Sequence, residues 1–254
     1  MSATVDAHQH FWKLGAHDCT WPTEAQAAIH RDYLPAAWPG GESLLVQSQE
    51  SARDTAWLLE LAEMHDFILG VIGWSDFAAP FPDDPWLKGL RPMVQGKADD
   101  WYDGFDPGAM AERRLVLDAL VRPRHLPALA RLAEHHPGLA IVIDHGGKPD
   151  IAGGDLGGWR AEMLRLAEYP NVACKLSGLL TEAAPGQHEQ VAMVGEWLLD
   201  IFGAERLIWG SDWPVLELAG SYFGWLEMAR AIVSPAAHEA VFGGNARRIY
   251  RLDG

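Results

Sequence analysis

Eight short apolar runs recur along the chain, at Thr4 to His10, Ser43 to Ser48, Ile68 to Ser75, Gly89 to Gln95, Leu115 to Arg122, Leu139 to His145, Val172 to Ser177 and Leu207 to Ser211. Their length and composition predict strands. Between several of them lie segments with helical patterning, Ala52 to His65, Leu126 to His135, Trp159 to Glu168 and Glu189 to Phe202, each long enough to cross back between parallel strands. A strand followed by a helix, repeated, predicts a parallel sheet. Eight such units in 254 residues fit a single α/β domain over residues 1–254, a closed (β/α)₈ TIM barrel, better than an open sheet. Local sequence does not by itself separate the two.

The repeat is distorted in places. Asp76 to Lys88 carries Pro80, Pro82 and Pro85, and proline removes a donor and clashes with the preceding helical turn, so the third crossover should be a loop or a single turn. Asp99 to Pro107, rich in Asp, Gly and aromatics, reads as a loop beyond the fourth strand, placed to cover the barrel mouth. Residues 11–40, with Trp12, Trp21, Pro22, Trp38 and Pro39, read as an irregular insertion after the first strand. Pro235 to Tyr250 reads as an extra closing helical segment, broken at Gly243-Gly244.

Composition narrows the partners. The formal charge of -15 opposes attraction to nucleic acid or an anionic membrane and favours a small molecule. Cys19 and Cys174 suggest neither a disulfide framework nor a cysteine zinc motif, which fits a cytoplasmic protein. The chain shows no basic region followed by an apolar run and no apolar stretch long enough for a membrane span. Oligomeric state is not legible.

Active sites of such barrels lie at the C-terminal ends of the strands, so polar residues there are the candidates. The first strand ends in Asp6-Ala7-His8-Gln9-His10. Strand alternation predicts that Asp6, His8 and His10 share a face, and two converging imidazoles suit a divalent cation or a developing oxyanion. Asp212, where an apolar run breaks into Trp209-Gly210-Ser211-Asp212-Trp213-Pro214, is the candidate general base; the alternative is a turn cap. His145 precedes Gly146-Gly147-Lys148-Pro149, whose glycines let backbone approach a ligand. Arg91, Arg122, Lys148 and Lys175 are candidate substrate cations, able to hold a carboxylate or polarise a carbonyl, or else to pair with Asp144, Asp118 or Glu182. His125 and Arg124 read as a helix start. Trp101 and Trp213, with Trp12 and Trp74, lie near loop ends where a ring can stack on a sugar face.

Taken together, His8 with His10, Ile143-Asp144-His145-Gly146-Gly147-Lys148-Pro149, Cys174-Lys175-Leu176-Ser177-Gly178-Leu179 and Trp209 to Val215 resemble the amidohydrolase superfamily. More narrowly, they resemble its amidohydrolase-related (amidohydrolase 2) branch of sugar lactonases, of the L-fuconolactonase and L-rhamnonolactonase type. Leu90 to Gln95, Val121 to Pro127 and Phe242 to Ala246 extend the likeness nearly end to end. The resemblance implies a (β/α)₈ fold, hydrolysis of a lactone ester, His8, His10 and His145 in the site, and Asp212 as the residue activating water.

Two ligands of the metal-rich members are missing. Where those carry a lysine on the fourth strand and a histidine on the fifth, this chain has Gly89-Leu90-Arg91-Pro92-Met93 and Leu115 to Arg122. A two-metal centre is not expected. His8, His10 and Asp212, with His145 nearby, either hold one Zn²⁺ or other divalent cation with an open position, or work without metal. The first functional expectation is a hydrolase opening a sugar lactone in sugar-acid catabolism. The others are a metal-dependent decarboxylase of an unsaturated or aromatic acid, and a noncatalytic sugar-binding barrel, against which a retained general base argues.

Overall fold

The computed structural model describes residues 4–77 and 81–252; Pro80, one of the prolines of the third crossover, lies outside the described residues. Eight parallel strands follow one another around a nearly closed barrel: β1 (Val5–Gln9), β2 (Glu42–Val46), β3 (Ile68–Gly73), β4 (Leu87–Leu90), β5 (Val116–Ala119), β6 (Ile141–Ile143), β7 (Val172–Leu176) and β8 (Leu207–Trp209). The seam is joined just beyond β8, where Gln9 bridges Trp213 in parallel. There His10 N–H donates to the Trp213 carbonyl and Asp212 N–H to the His8 carbonyl, each at 2.8 Å. Closure of the barrel therefore sets the β1 histidines beside Asp212.

Alternation along the strands divides the apolar residues into two cores. Val46, Ile72, Val116, Val142, Ala173 and Ile208 pack inside the barrel, while Leu45, Val71, Leu117, Ile141, Cys174 and Leu207 pack against the helices. Both faces are buried, which is why the strands read as continuous apolar runs. Each fully buried Leu, Ile or Val contributes roughly 1.5–3 kcal/mol.

The helices are α1 (Ala52–Met64), α2 (Gly108–Glu112), α3 (Leu126–His135), α4 (Gly157–Ala167), α5 (His188–Phe202), α6 (Tyr222–Ile232) and α7 (Asn245–Tyr250). Ser51 starts α1 by accepting the N–H groups of Arg53 and Asp54 at 3.0 and 3.2 Å. Gly203, with φ 69°, ends α5. Among the described residues no α-helix forms between β1 and β2 or between β3 and β4, as the aromatic and proline content of those stretches predicts. The fourth crossover is two 3₁₀ turns followed by the short α2. β4 begins and ends earlier than expected, because Pro92 and the turn at Val94–Gly96 stop it. The pattern of α6 went unread in the sequence, although Ser221 caps it through the Gly224 N–H at 3.3 Å and Tyr222, Trp225 and Ala229 form its buried face.

The C-terminal segment is more than a trailing helix. Its Ala246 and Tyr250 pack with the barrel-interior residues, and the Tyr250 hydroxyl donates to Asp118 Oδ1 on β5 at 2.8 Å.

Candidate active site

At the C-terminal mouth lies a cavity of about 590 Å³. His10, Arg91, His145, Lys148 and Asp212 line it, and its wall comes from Asp18, Thr20 and Trp21 after β1 and Ser48, Gln49 and Glu50 after β2. His8 is fully buried beneath. The wall residues escaped the sequence reading, yet the polar run Ser48-Gln49-Glu50 at the end of an apolar strand carries the same signal that marked the other strand ends. Gln49 locks the first insertion in place: its Oε1 accepts the Thr20 N–H at 2.9 Å and its Nε2 donates to the Trp21 carbonyl at 2.7 Å.

The expectation for Asp6 needs correction. The β1–β2 register shifts between Asp6 and Gln9, so strict alternation fails there. Asp6 Oδ1 accepts the backbone N–H of His8 at 3.0 Å and of Ser211 at 2.9 Å. It pins the ends of β1 and β8 together instead of joining the histidines.

Asp212 is the hub. Its Oδ1 lies 3.2 Å from His10 Nε2, 3.7 Å from His8 Nε2 and 3.8 Å from His145 Nε2. Both Asp212 and His145 hold left-handed backbone, φ 60° and 53°, an uncommon conformation for such residues that aims each side chain inward from a strand end. Two glycines make the room. A Cβ on Gly178 would stand 2.5 Å from His145 Nδ1, and one on Gly210 2.7 Å from His8 Cβ.

The ring nitrogens have assignable partners. His10 Nδ1 lies 2.7 Å from the Val46 carbonyl, which can only accept, so Nδ1 carries the proton and Nε2 offers a lone pair to Asp212 when the ring is neutral. Two acceptors face each other there, and they require a shared proton or cation. His145 Nδ1 pairs with the Ser177 hydroxyl at 2.9 Å. Burial pushes the pKa of the Asp212 carboxyl up, but the His145 charge, the His10 hydrogen bond and charge, and Lys148 outweigh it and hold the net value below the ordinary 3.8. Burial lowers His145 well below 6.5 despite Asp212, and burial with the Lys175 charge does the same to His8.

The sequence-derived cations separate. Arg91 reaches the cavity floor, donating to the Gln47 carbonyl and, from Nη1, to Asp144 Oδ2 at 3.4 Å. Lys148 lines the cavity while paired with Glu182 at 2.7 Å. Lys175 is fully buried below the floor between Asp118 and Asp144. Arg122 is exposed and does not line the cavity; its backbone N–H meets His125 Nδ1 at 3.0 Å, at the start of α3. Trp213 packs under the seam, its Nε1 donating to Glu217 at 2.9 Å. Trp101 stacks on Phe105 at a separate surface hollow. Trp12 is core.

Among the described residues, two groups have ligand atoms within 4.8 Å of one another: His8, His145 and Asp212, and His8, Asp118 and Asp144. The Lys175 ammonium stands among the second set. The first fits one divalent cation, and the facing acceptors of His10 and Asp212 suit it. In this group His145 stands where His10 was expected, although His10 Nε2 is the ring nitrogen nearest Asp212 Oδ1.

A carboxylate and imidazoles around a polar cavity at a barrel mouth equip a hydrolase that activates water. The Amidohydrolase family profile matches residues 5–252, and the chain belongs to this family. It is 43% identical to an L-fucono-1,5-lactonase of Burkholderia ambifaria, covering 100% of this chain and 97% of that protein. A second protein of that name, from Burkholderia multivorans, is 36% identical over 98% of this chain and 96% of its own length. A crystal structure of a Burkholderia multivorans amidohydrolase with bound zinc superposes with a TM-score of 0.90 at 34% identity, covering 98% of this chain and 99% of that one.

Proposed function

We propose that this protein opens the ester of a sugar 1,5-lactone such as L-fucono-1,5-lactone, with Asp212 activating the attacking water. The observation that carries this reading is Asp212 Oδ1 at 3.2 Å from His10 Nε2 on the floor of a cavity open to solvent. Thr20, Ser48, Gln49, Glu50 and Gln95 in the wall supply donors and acceptors for the hydroxyls of a polyhydroxylated ring. The lactonase names of its relatives support the substrate class.

In the proposed reaction, water bound between Asp212 and the lactone carbonyl carbon loses its proton to the Asp212–His10 pair as the new C–O bond forms. Arg91, Lys148 and His145, all lining the cavity, stabilise the oxyanion. The tetrahedral intermediate collapses, the bond to the ring oxygen breaks, and that oxygen takes up the proton, leaving the hydroxy acid. A divalent cation held by His8, His145 and Asp212 would supply Lewis acidity and a more acidic water.

No helix of the described residues is long and apolar enough to cross a membrane. Together with the charge of -15, this supports a cytoplasmic enzyme of small-molecule metabolism without nucleic acid or membrane partners. The test is a panel of sugar lactones followed with a pH indicator. Acid release from a 1,5-lactone is the expected result; carbon dioxide from an unsaturated acid, or saturable sugar binding without turnover, overturns the reading.

A further inference from the structure

Beneath the cavity floor lies a buried chain of groups that the proposed reaction does not use. Lys175 Nζ pairs with Asp118 Oδ2, stands 3.0 Å from Asp144 Oδ1 and 3.0 Å from His8 Nδ1. An ammonium has three protons, and here it has three acceptors if His8 Nδ1 presents its lone pair. Arg91 Nη1 approaches the other nitrogen, His8 Nε2, at 3.4 Å. A neutral imidazole has one lone pair, so only one of these cations is satisfied by it. Lys175 is nearer, and its third proton has no other acceptor among the described residues. Arg91 has the Gln47 carbonyl and Asp144 Oδ2.

We propose that Lys175 is a positioning residue that fixes His8 as the Nε2–H tautomer, turning that proton to the side of Asp212 Oδ1, 3.7 Å away. The two β1 histidines then have opposite duties. His8 turns an N–H to the Asp212 side from below without bonding it, and His10, its Nδ1 proton spent on the Val46 carbonyl, presents a lone pair from the side. Asp212 Oδ1 thus has a ring N–H 3.7 Å away on one side and a ring lone pair at 3.2 Å on the other, where a proton taken from water can be shared. The alternative His8 tautomer, with Nδ1–H toward Asp144 Oδ1 at 3.3 Å, brings the Lys175 ammonium against a protonated nitrogen.

The tautomer can be read without substrate, so its result stands apart from the lactonase reading. In the full chain, freed of divalent cations and labelled with ¹⁵N-histidine, long-range ¹H–¹⁵N spectra at neutral pH should show His8 with Nε2 protonated. Lys175→Met alone leaves Asp118 and Asp144 short of a counter-charge and threatens the fold. Lys175→Met with Asp118→Asn removes one positive and one negative charge and keeps Arg91 on Asp144. In that double variant, with its circular dichroism unchanged, His8 should switch to the Nδ1–H form. Asp118→Asn alone, which retains Lys175, should keep Nε2–H. The proposal is overturned by Nδ1–H in the parent protein, or by a tautomer indifferent to Lys175. With a turned-over lactone, kcat of the double variant should drop about 100-fold while KM stays within about twofold, because Lys175 is buried below the substrate cavity; a change confined to KM also overturns it.

Discussion

Asp212 Oδ1 and His10 Nε2 face each other at 3.2 Å, the one extending from β8 and the other from β1, held in register by the hydrogen bonds that join the barrel seam. Removing the carboxylate charge while keeping its shape tests the pair directly. Asp212→Asn should lower kcat by about 10³-fold or more and leave the circular dichroism spectrum unchanged. Near-parental turnover removes Asp212 from its proposed role.

The pH profile follows from the same carboxylate. A base must be deprotonated, so activity is lost as pH falls through its folded pKa, which lies below the ordinary 3.8. His8 and His145, both lowered well below 6.5, stay neutral near pH 7. None of these three groups should therefore produce an inflection in kcat/KM between about pH 6 and 8. Rates measured after brief pH jumps, with protein shown to recover on return to neutrality, provide the check.

Asp54 links stability to pH in the opposite sense to a salt-bridged acid. Burial raises its carboxyl to about 7, against backbone N–H groups of Ser48 and Gln49 and the Arg91 charge. The folded state holds the proton more tightly than the unfolded chain, so this group's contribution declines as pH rises from about 4 to about 7. Asp54→Asn should gain stability relative to the parent across that window, up to about 4 kcal/mol, in urea titrations at several pH values. A constant offset between the two proteins contradicts the assignment.

At Gly178, φ +62° and a Cβ position 2.5 Å from His145 Nδ1 leave no space for a methyl group. Gly178→Ala should push the imidazole off Ser177 and Asp212, with about a 100-fold loss in kcat and a stability cost of about 1–3 kcal/mol. Thermal melts beside steady-state kinetics separate the two effects.

Stripping divalent cations with a chelator should leave the melting temperature within about 2 °C of the untreated protein. Asp118 and Asp144 are already neutralised by Lys175 and Arg91, so the fold does not depend on a metal for its buried charges. A large drop on chelation assigns an ion a structural part.

The barrel was legible because a strand buried on both faces writes itself as an apolar run, and each run here sits where the chain turns parallel. His8, His10, His145 and Asp212 were legible because they interrupt such runs at strand ends. Asp6 was misread for a specific reason: a one-residue slip against β2 is a property of the pairing, which a period of two along one strand does not encode. Arg122 and Lys175 looked alike, each a cation at the end of an apolar run. Arg122 lies past the end of β5 and turns out to solvent, whereas Lys175 lies within β7 and inside the barrel, a difference fixed by where each strand stops. Asp118 and Asp144 were seen only as counter-ions, since the cluster that makes them important draws on four strands.

Tyr250, near the end of the described residues, bonds Asp118, which holds Lys175, which reaches His8. The last helix is therefore a cork whose inner end touches the underside of the chemistry. Whatever displaces that helix pulls on the support beneath His8.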